Sequence, residues 1–390
     1  MKDLPRLLVV TEWAPDAPGG GPAILRQMLR DYPTEKLLWW NCLSNSDSSQ
    51  NRYAAQIPAR LYPHRRYIRL KSGILDRLWV PLAARNLSKL IKTLKPEAIW
   101  HVPHKWAIPV SHRLLASLQK KLHVSMQDYM DMTANIPLLG KERAHSFAEM
   151  ADDLYRNART RDAISEPMIE DLLARTGAPA QQMLHAGLES SDFTALGSEP
   201  SPTREIRIAY AGTIQVESAF LSFLKAVDAV RHSLPARLKI TFFSSHRYSA
   251  AAWFNADWME DRGHLSVTRL HEELRQCSWG LSLMALDDDA RYNRYSLPTK
   301  FVSYLAGGLP IFTLAHRESS VYRMAAKYSV GVQTCATETE QLSEELRRAL
   351  SDLEAKARYR PAVLACARAK FDAEKTRHTL HGCFISCANA

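Results

Sequence analysis

The chain has 390 residues, 46% of them apolar and 24% charged, with a formal net charge of +10. That composition excludes a disordered or fibrous chain, and the length allows two or three domains, each with its own core. No apolar run approaches the roughly 18–20 residues that cross a bilayer, and Leu7–Val10 is too short for the core of a signal peptide. Six cysteines without a CxxC pair predict reduced thiols in a cytoplasmic protein rather than a disulfide framework or a zinc site.

In chain order, Leu7–Val10 reads as a buried strand, Thr11–Pro22 as a turn-rich stretch, Ala23–Arg30 as a helix and Leu37–Trp40 as a second strand. Residues 59–95 hold ten Lys or Arg residues and one acid, Asp76. Within them Ile74, Leu75, Leu78, Trp79, Leu82, Ala83, Leu87, Leu90, Ile91 and Leu94 recur at three- and four-residue spacing, the signature of an amphipathic helix. Pro81 inside that pattern predicts a kink or a late start. The cations of 60–95 suit phosphates or an anionic membrane surface, or simply water; no nucleic-acid reader motif accompanies them, so nucleic acid is not the expected partner. Ala98–Val102 and His123–Met126 complete the strands of the first half.

Leu196–Thr203 is rich in Gly, Ser and Pro and reads as a linker. The rhythm then restarts with strands at Ile206–Ala211, Leu238–Phe243, Leu265–Leu270, Trp279–Met284 and Leu309–Thr313, and a helix near Phe220–Val230. From Glu338 onward the pattern is helical. Strands alternating with helices predict doubly wound parallel sheets, with ligands at the carboxyl ends of the strands. The expected division is residues 1–195, 204–370 and a helical tail at 371–390.

Several groups carry candidate chemistry. Gly19, Gly20 and Gly21, between a strand and a helix, would let backbone N–H groups approach an anion, or form a simple turn. Ser296 suits a helix N-cap and Pro298 a first helical turn; Thr299 and Lys300 would then meet a diphosphate at that helix start. Asp128, just past a strand, is a candidate acceptor ligand or proton acceptor, or a helix cap. His101 and His104 flank the end of another strand, where one of them could bond sugar hydroxyls or phosphate. Asp287–Asp289 contains a D-x-D of the type that holds hard cations in a different fold; an acidic loop or plain solvation is favoured here, and no metal is expected.

Ser296–Pro310 (SLPTKFVSYLAGGLP) resembles the S-x-P-[ST]-K-x-x-x-Y-L-A-x-G-x-P segment of bacterial family-4-like glycosyltransferases with the GT-B fold. Leu8–Trp13 with Gly19–Pro22 resembles their first strand and glycine loop. Ala163–Met168 is similar to their S-E-x-M segment, and Ile208–Ile214 to the start of their donor domain. The resemblance implies two Rossmann-like domains facing across a cleft and an activated sugar, on UDP or GDP, bound mainly by the second. Gly212 and Thr213 would lie near the donor phosphates, Thr299 and Lys300 on the diphosphate, and the loop at Leu270 and His271 at the nucleobase. Gly20 and Gly21 would approach from the acceptor domain.

It further implies transfer with retention and without a metal or other cofactor, to a hydroxyl of a glycan or lipid-linked acceptor in cell-surface polysaccharide synthesis. The chain would work in the cytoplasm, at the inner face of the membrane if the basic segment binds there. Asp128, His101 and Lys300 are the candidate catalytic residues. The sequence departs from the family in two places. The Glu-x7-Glu pair is replaced by Tyr295 and Ser303, and the Arg/Lys pair after the first donor strand is missing, which leaves Arg247, Arg291 or Arg294 to supply a second cation. An epimerase of the same shape and a non-catalytic binding module are the rival readings.

Overall fold

The computed structural model describes residues 4–17, 19–42, 52–61, 67–130, 139–197, 205–286 and 294–390. Contacts divide the chain into one unit of Met1–Ala186 with Glu374–Ala390 and a second of Gly187–Ala373. The division thus falls before the Gly/Ser/Pro-rich stretch, and the tail belongs with the first unit.

The first unit holds a six-stranded parallel sheet: β1 (Leu7–Val10), β2 (Leu37–Asn41), β3 (Arg52–Ala54), β4 (Ala98–His101), β5 (Leu122–Met126) and β6 (Thr160–Ala163), in the order β3-β2-β1-β4-β5-β6. The second repeats that order. Its strands are β7 (Glu205–Ala211), β8 (Arg237–Phe243), β9 (Met259–Asp261), β10 (Trp279–Leu283), β11 (Ile311–Leu314) and β12 (Gly331–Thr334), arranged β12-β11-β10-β7-β8-β9, again all parallel. In both sheets the order in which strands are added reverses beside the first strand, between β1 and β4 and between β7 and β10. There the loops leave in opposite directions and open a crevice at the carboxyl ends. β1, β4, β5 and β10 are buried along their whole length, as strands covered on both faces by helices must be.

Four expectations change. Leu265–Leu270 is not a strand: the helix Val267–Arg275 starts there, and the edge strand of that region is β9, a few residues earlier at Met259–Asp261. The helix after β1 begins at Gly20, so Gly20 and Gly21 form its first turn and only Gly19, with φ 120°, precedes it. The helix Ile68–Ile74 runs on through the π-turn Leu75–Trp79 into the helix Val80–Leu94. Pro81 lacks the N–H that would bond back into that turn, which accounts for the wider spacing there. Ser296 is not an N-cap, because Pro298 holds that position for the helix Thr299–Ala306.

The C-terminal helix Ala373–Ala388 packs on the first sheet. Phe384 stacks against Trp100 and His123 with ring centres 5.4 and 5.6 Å apart, and the Cys387 thiol lies 3.2 Å from the Thr160 hydroxyl. All six cysteines are free.

Candidate functional site

In the second unit, the crevice at the carboxyl end of β7 is built by three tyrosines. Tyr304, on the helix Thr299–Ala306, donates its hydroxyl to the Leu281 carbonyl (2.9 Å) and accepts from the Ala211 N–H (3.0 Å), which pins that helix to β10 and β7. The ring lies directly on Gly280: a Cβ there would meet the Tyr304 ring and its Cβ at 2.5–2.9 Å. Tyr248 accepts from Ile214 N–H (2.8 Å) and donates to the Gly212 carbonyl (3.3 Å), clamping the turn after β7. Gly212 makes that turn at φ 85°, a region that disfavours a side chain. Tyr210 donates to the Thr213 carbonyl (3.2 Å).

Lys300, in the first turn of the pinned helix, completes the arrangement. Its ammonium donates to the Tyr210 hydroxyl (2.9 Å) and to the Thr213 carbonyl (3.1 Å), and sits 4.2 Å from the centre of the Tyr210 ring. No carboxylate pairs with it among the described residues, and burial pushes its pKa down to about 7. A half-buried cation held by neutral oxygens at a helix start, beside the exposed Gly212 and Thr213, is a site short of one anion. Thr299 is exposed beside it. Arg247 follows β8 directly before Tyr248 and has no ion-pair partner among the described residues. Arg294 lies over the Tyr295 ring at 5.8 Å, and Arg291 lies outside the described residues, as does Asp287–Asp289.

The remaining second-unit candidates are less available. His271 lies within the helix Val267–Arg275 rather than in a loop, and its Nδ1 meets Asp192 Oδ1 at 2.9 Å. Burial alone would raise the Asp192 pKa, but the bonds from His271 and the Glu189 N–H outweigh it and hold it low. Leu270 shares that helix. The Ser303 hydroxyl turns back to the Thr299 carbonyl (3.4 Å), and Ser296 offers its carbonyl to the Ser320 hydroxyl (2.5 Å). Tyr295 is buried.

In the first unit, the carboxyl ends of β1, β4 and β5 gather a second polar cluster. Glu12 is buried; its Oε2 takes a short hydrogen bond from His104 Nδ1 and lies 3.9 Å from Lys105 Nζ. Trp13 meets the His104 ring edge-on at 5.2 Å. Gly21 approaches so closely that a Cβ would meet Gln127 Oε1 at 2.7 Å and the Trp13 ring at 3.3 Å. Glu12 Oε1, Trp13 Nε1 and Gln127 Nε2 are buried with no hydrogen-bond partner. Buried polar atoms seldom stay unpaired, and these three side chains lie around His104 and Gly21. Asp128 lies half-buried alongside; burial raises its pKa against the pull of His104 and Lys105. Lys105 holds φ +35°, a strained backbone at the same place.

His101 belongs beneath this cluster, not in it. It is fully buried, its Nδ1 bonds the Val10 carbonyl (3.0 Å), and burial lowers its pKa to about 4, so it is neutral and offers no atom to solvent. His104 is the imidazole that reaches the opening, with a fifth of its side chain exposed. Glu12, Trp13 and Gln127 carry no spacing signal of their own; only their places immediately after β1 and β5 mark them. Among the described residues no group of three His, Cys, Asp or Glu side chains is placed to hold a metal ion.

No protein-family model matches the chain, and no curated protein matches it. Solved structures do match over nearly the full length. The α,α-trehalose 6-phosphate synthase of Burkholderia multivorans is 13% identical, with 99% of this chain and 98% of that one covered at a TM-score of 0.63. The sucrose-phosphate synthase of Thermosynechococcus elongatus is 11% identical, with 96% of each chain covered and a TM-score of 0.65. An E. coli trehalose-6-phosphate structure bound with UDP-2-fluoro glucose is 12% identical, with 98% of each chain covered and a TM-score of 0.61. At these identities the likeness is one of fold: the chain has the two-sheet GT-B fold of sugar-nucleotide glycosyltransferases.

Proposed function

We propose that this chain is a glycosyltransferase that moves a sugar from a nucleoside-diphosphate sugar, on UDP or GDP, to a hydroxyl of a glycan or lipid-linked acceptor in the making of cell-surface polysaccharide. The observation that carries the reading is the Lys300 ammonium, without a carboxylate partner among the described residues and fixed by Tyr210 and Thr213 over the end of β7. A diphosphate placed there gains the ammonium and the free N–H groups of the helix start. Its charge grows as the bond to the sugar breaks, so these fixed groups stabilise the transition state more than the ground state. Arg247 is the second cation in this reading. The fold's likeness to a sucrose-phosphate synthase and to a protein bound with UDP-2-fluoro glucose supports it.

The acceptor binds in the first unit, its hydroxyls bonded by Trp13 Nε1, Gln127 Nε2, Glu12 and His104. Asp128, with its raised pKa, takes the proton of the attacking hydroxyl as the sugar–phosphate bond breaks and the new glycosidic bond forms. The hydroxyl attacks from the face that the diphosphate leaves, so transfer proceeds with retention, and without a metal.

The test is a thermal-shift panel of UDP, GDP, ADP and CMP with their sugars, since a ligand that binds only the folded state raises the melting temperature. The reading expects a shift with UDP or GDP that Lys300→Ala removes. No shift with any of them would sink it.

A further inference from the structure

The long helix of the first unit presents a face that no described residue of its own unit covers. Leu75, Trp79, Val80, Ala83, Ala84 and Leu87 are buried. On the opposite side Tyr67, Leu70, Leu78 and Leu82 are 73, 65, 62 and 59% exposed, and they are four of the eight large apolar residues exposed among the described residues. The pattern does not stop at Leu82. Steps of four, three, four and three residues run from Leu78 through Leu82, Arg85 and Lys89 to Lys92, so all five lie along one stripe, and all are exposed. One end of the stripe is apolar and the other cationic.

Nothing neutralises the cationic end. Arg69, Lys71, Arg77, Arg85, Lys89 and Lys92 have no carboxylate partner among the described residues. The segment's one acid, Asp76, is taken by Arg143. Beside the stripe an open recess of about 590 Å³ is lined by Arg85, Lys89, Lys92 and Arg113 together with Ser88 and Thr93, and by no acid. Four cations and two hydroxyls around one recess match a phosphate group. Leucines beside it match the acyl boundary just below one.

We propose that this stripe is a docking surface for an anionic phospholipid bilayer, the helix lying flat with Leu70, Leu78 and Leu82 in the acyl boundary and a headgroup phosphate in the Arg85–Lys89–Lys92–Arg113 recess. The span from Tyr67 to Lys92 is roughly 38 Å at 1.5 Å per residue, long enough to hold the unit at the surface in a fixed orientation. Apolar burial and attraction to anionic headgroups act together on such a helix. Trp79 takes no part: its indole N–H is spent on the Gln56 carbonyl (3.1 Å) on the buried side. The surface stands apart from the glycosyltransferase reading, because it is measured as binding without turnover.

The experiment is co-sedimentation of the full chain with phosphatidylcholine vesicles, with and without phosphatidylglycerol, at low and high salt. Binding is expected only to the anionic vesicles and to be released by salt. R85Q/K89Q/K92Q should weaken it by about 100-fold, since each basic residue near such a surface contributes roughly a fivefold gain. L78S/L82S should weaken it at both salt concentrations. All five residues are exposed, so both variants should melt with the parent protein. Equal binding to both vesicle types, no binding to either, or binding unchanged in both variants would overturn the proposal. So would a duplex DNA or RNA that binds through the same cations when vesicles do not, or a solution dimer that L78S/L82S dissociates.

Discussion

Lys300 Nζ lies 2.9 Å from the Tyr210 hydroxyl oxygen and 4.2 Å from the centre of the same ring. One tyrosine therefore places the cation twice, by its hydroxyl and by its π face. Tyr210→Phe keeps the ring and removes the hydroxyl, with the bond it accepts from Lys300 and the one it donates to the Thr213 carbonyl. It should weaken nucleotide binding by about 1 kcal/mol, roughly fivefold, as for one net hydrogen bond. Lys300→Ala should cost about 2–4 kcal/mol in kcat/KM, by analogy with the loss of one oxyanion donor. Equal kcat/KM in wild type and Lys300→Ala would remove the lysine from the site.

Gly280→Ala tests the seat of that lysine from the far side. The added methyl would overlap the stem of the Tyr304 ring, not a flexible chain end. The helix Thr299–Ala306 must move or the ring must leave its bonds to Leu281 and Ala211. Overpacking of this kind costs about 1–3 kcal/mol, to be read as a lower urea midpoint. Nucleotide affinity should fall as well, because Lys300 rides on the same helix. A stable variant with full affinity would mean that the seat is looser than the contacts require.

The parallel order of both sheets was legible because their central strands are continuous apolar runs set between helical patterns. β6 was not, since Thr-Arg-Asp-Ala has no apolar pattern. Its Asp162 is nevertheless fully buried, because His123 on β5 needs a partner there: Nε2 meets Asp162 Oδ2 at 2.9 Å and Nδ1 meets the Thr160 hydroxyl at 2.8 Å. β12 (GVQT) is hidden in the same way, and the alternation of Leu265–Leu270 belongs to a helix. In the Ser296–Pro310 segment the expected helix start is where Lys300 lies, but the cap is Pro298 rather than Ser296. The tyrosines that hold the lysine come from three separate stretches and share no motif. His101 misled because a histidine ending a strand reads alike whether it faces solvent or core; packing alone makes His104 the open one.

The His123–Asp162 pair yields a stability prediction. Both side chains are fully buried, so Asp162→Ala leaves the imidazole Nε2 with only the long contact to the Ser125 hydroxyl (3.4 Å) and opens space beside it. The cost should be about 3 kcal/mol, with nucleotide binding to the second unit unchanged. Calorimetry and a nucleotide titration on the same variant check both halves. A loss below about 1 kcal/mol would show that water or a neighbour replaces the carboxylate.

Metal removal separates charge supplied by side chains from charge supplied by a cation. If Lys300 and Arg247 hold the diphosphate as proposed, transfer should survive EDTA at undiminished rate. Loss of activity in EDTA with recovery in Mn²⁺ would reject side-chain stabilisation as sufficient, and would direct attention to Asp287–Asp289.

Lys300 also makes the site sensitive to pH, and the sign follows from its environment. Burial lowers its pKa to about 7 from the ordinary 10.5. The folded protein therefore releases a proton from Lys300 between about pH 7 and 10.5 that the unfolded chain keeps. Stability linked to this residue is lowest below pH 7, where burying the charge costs most, and rises with pH through that window. Nucleotide binding runs the other way, because only the ammonium attracts the diphosphate. Affinity should be greatest below pH 7 and fall as pH rises past it, with binding above pH 7 taking up a proton from solvent. Calorimetric titration of UDP or GDP in buffers of different ionisation enthalpy measures that uptake directly. Lys300→Met should abolish it, flatten the affinity against pH and raise the melting temperature most at low pH. Proton uptake that persists in Lys300→Met would assign the titration to another group and leave Lys300 charged throughout.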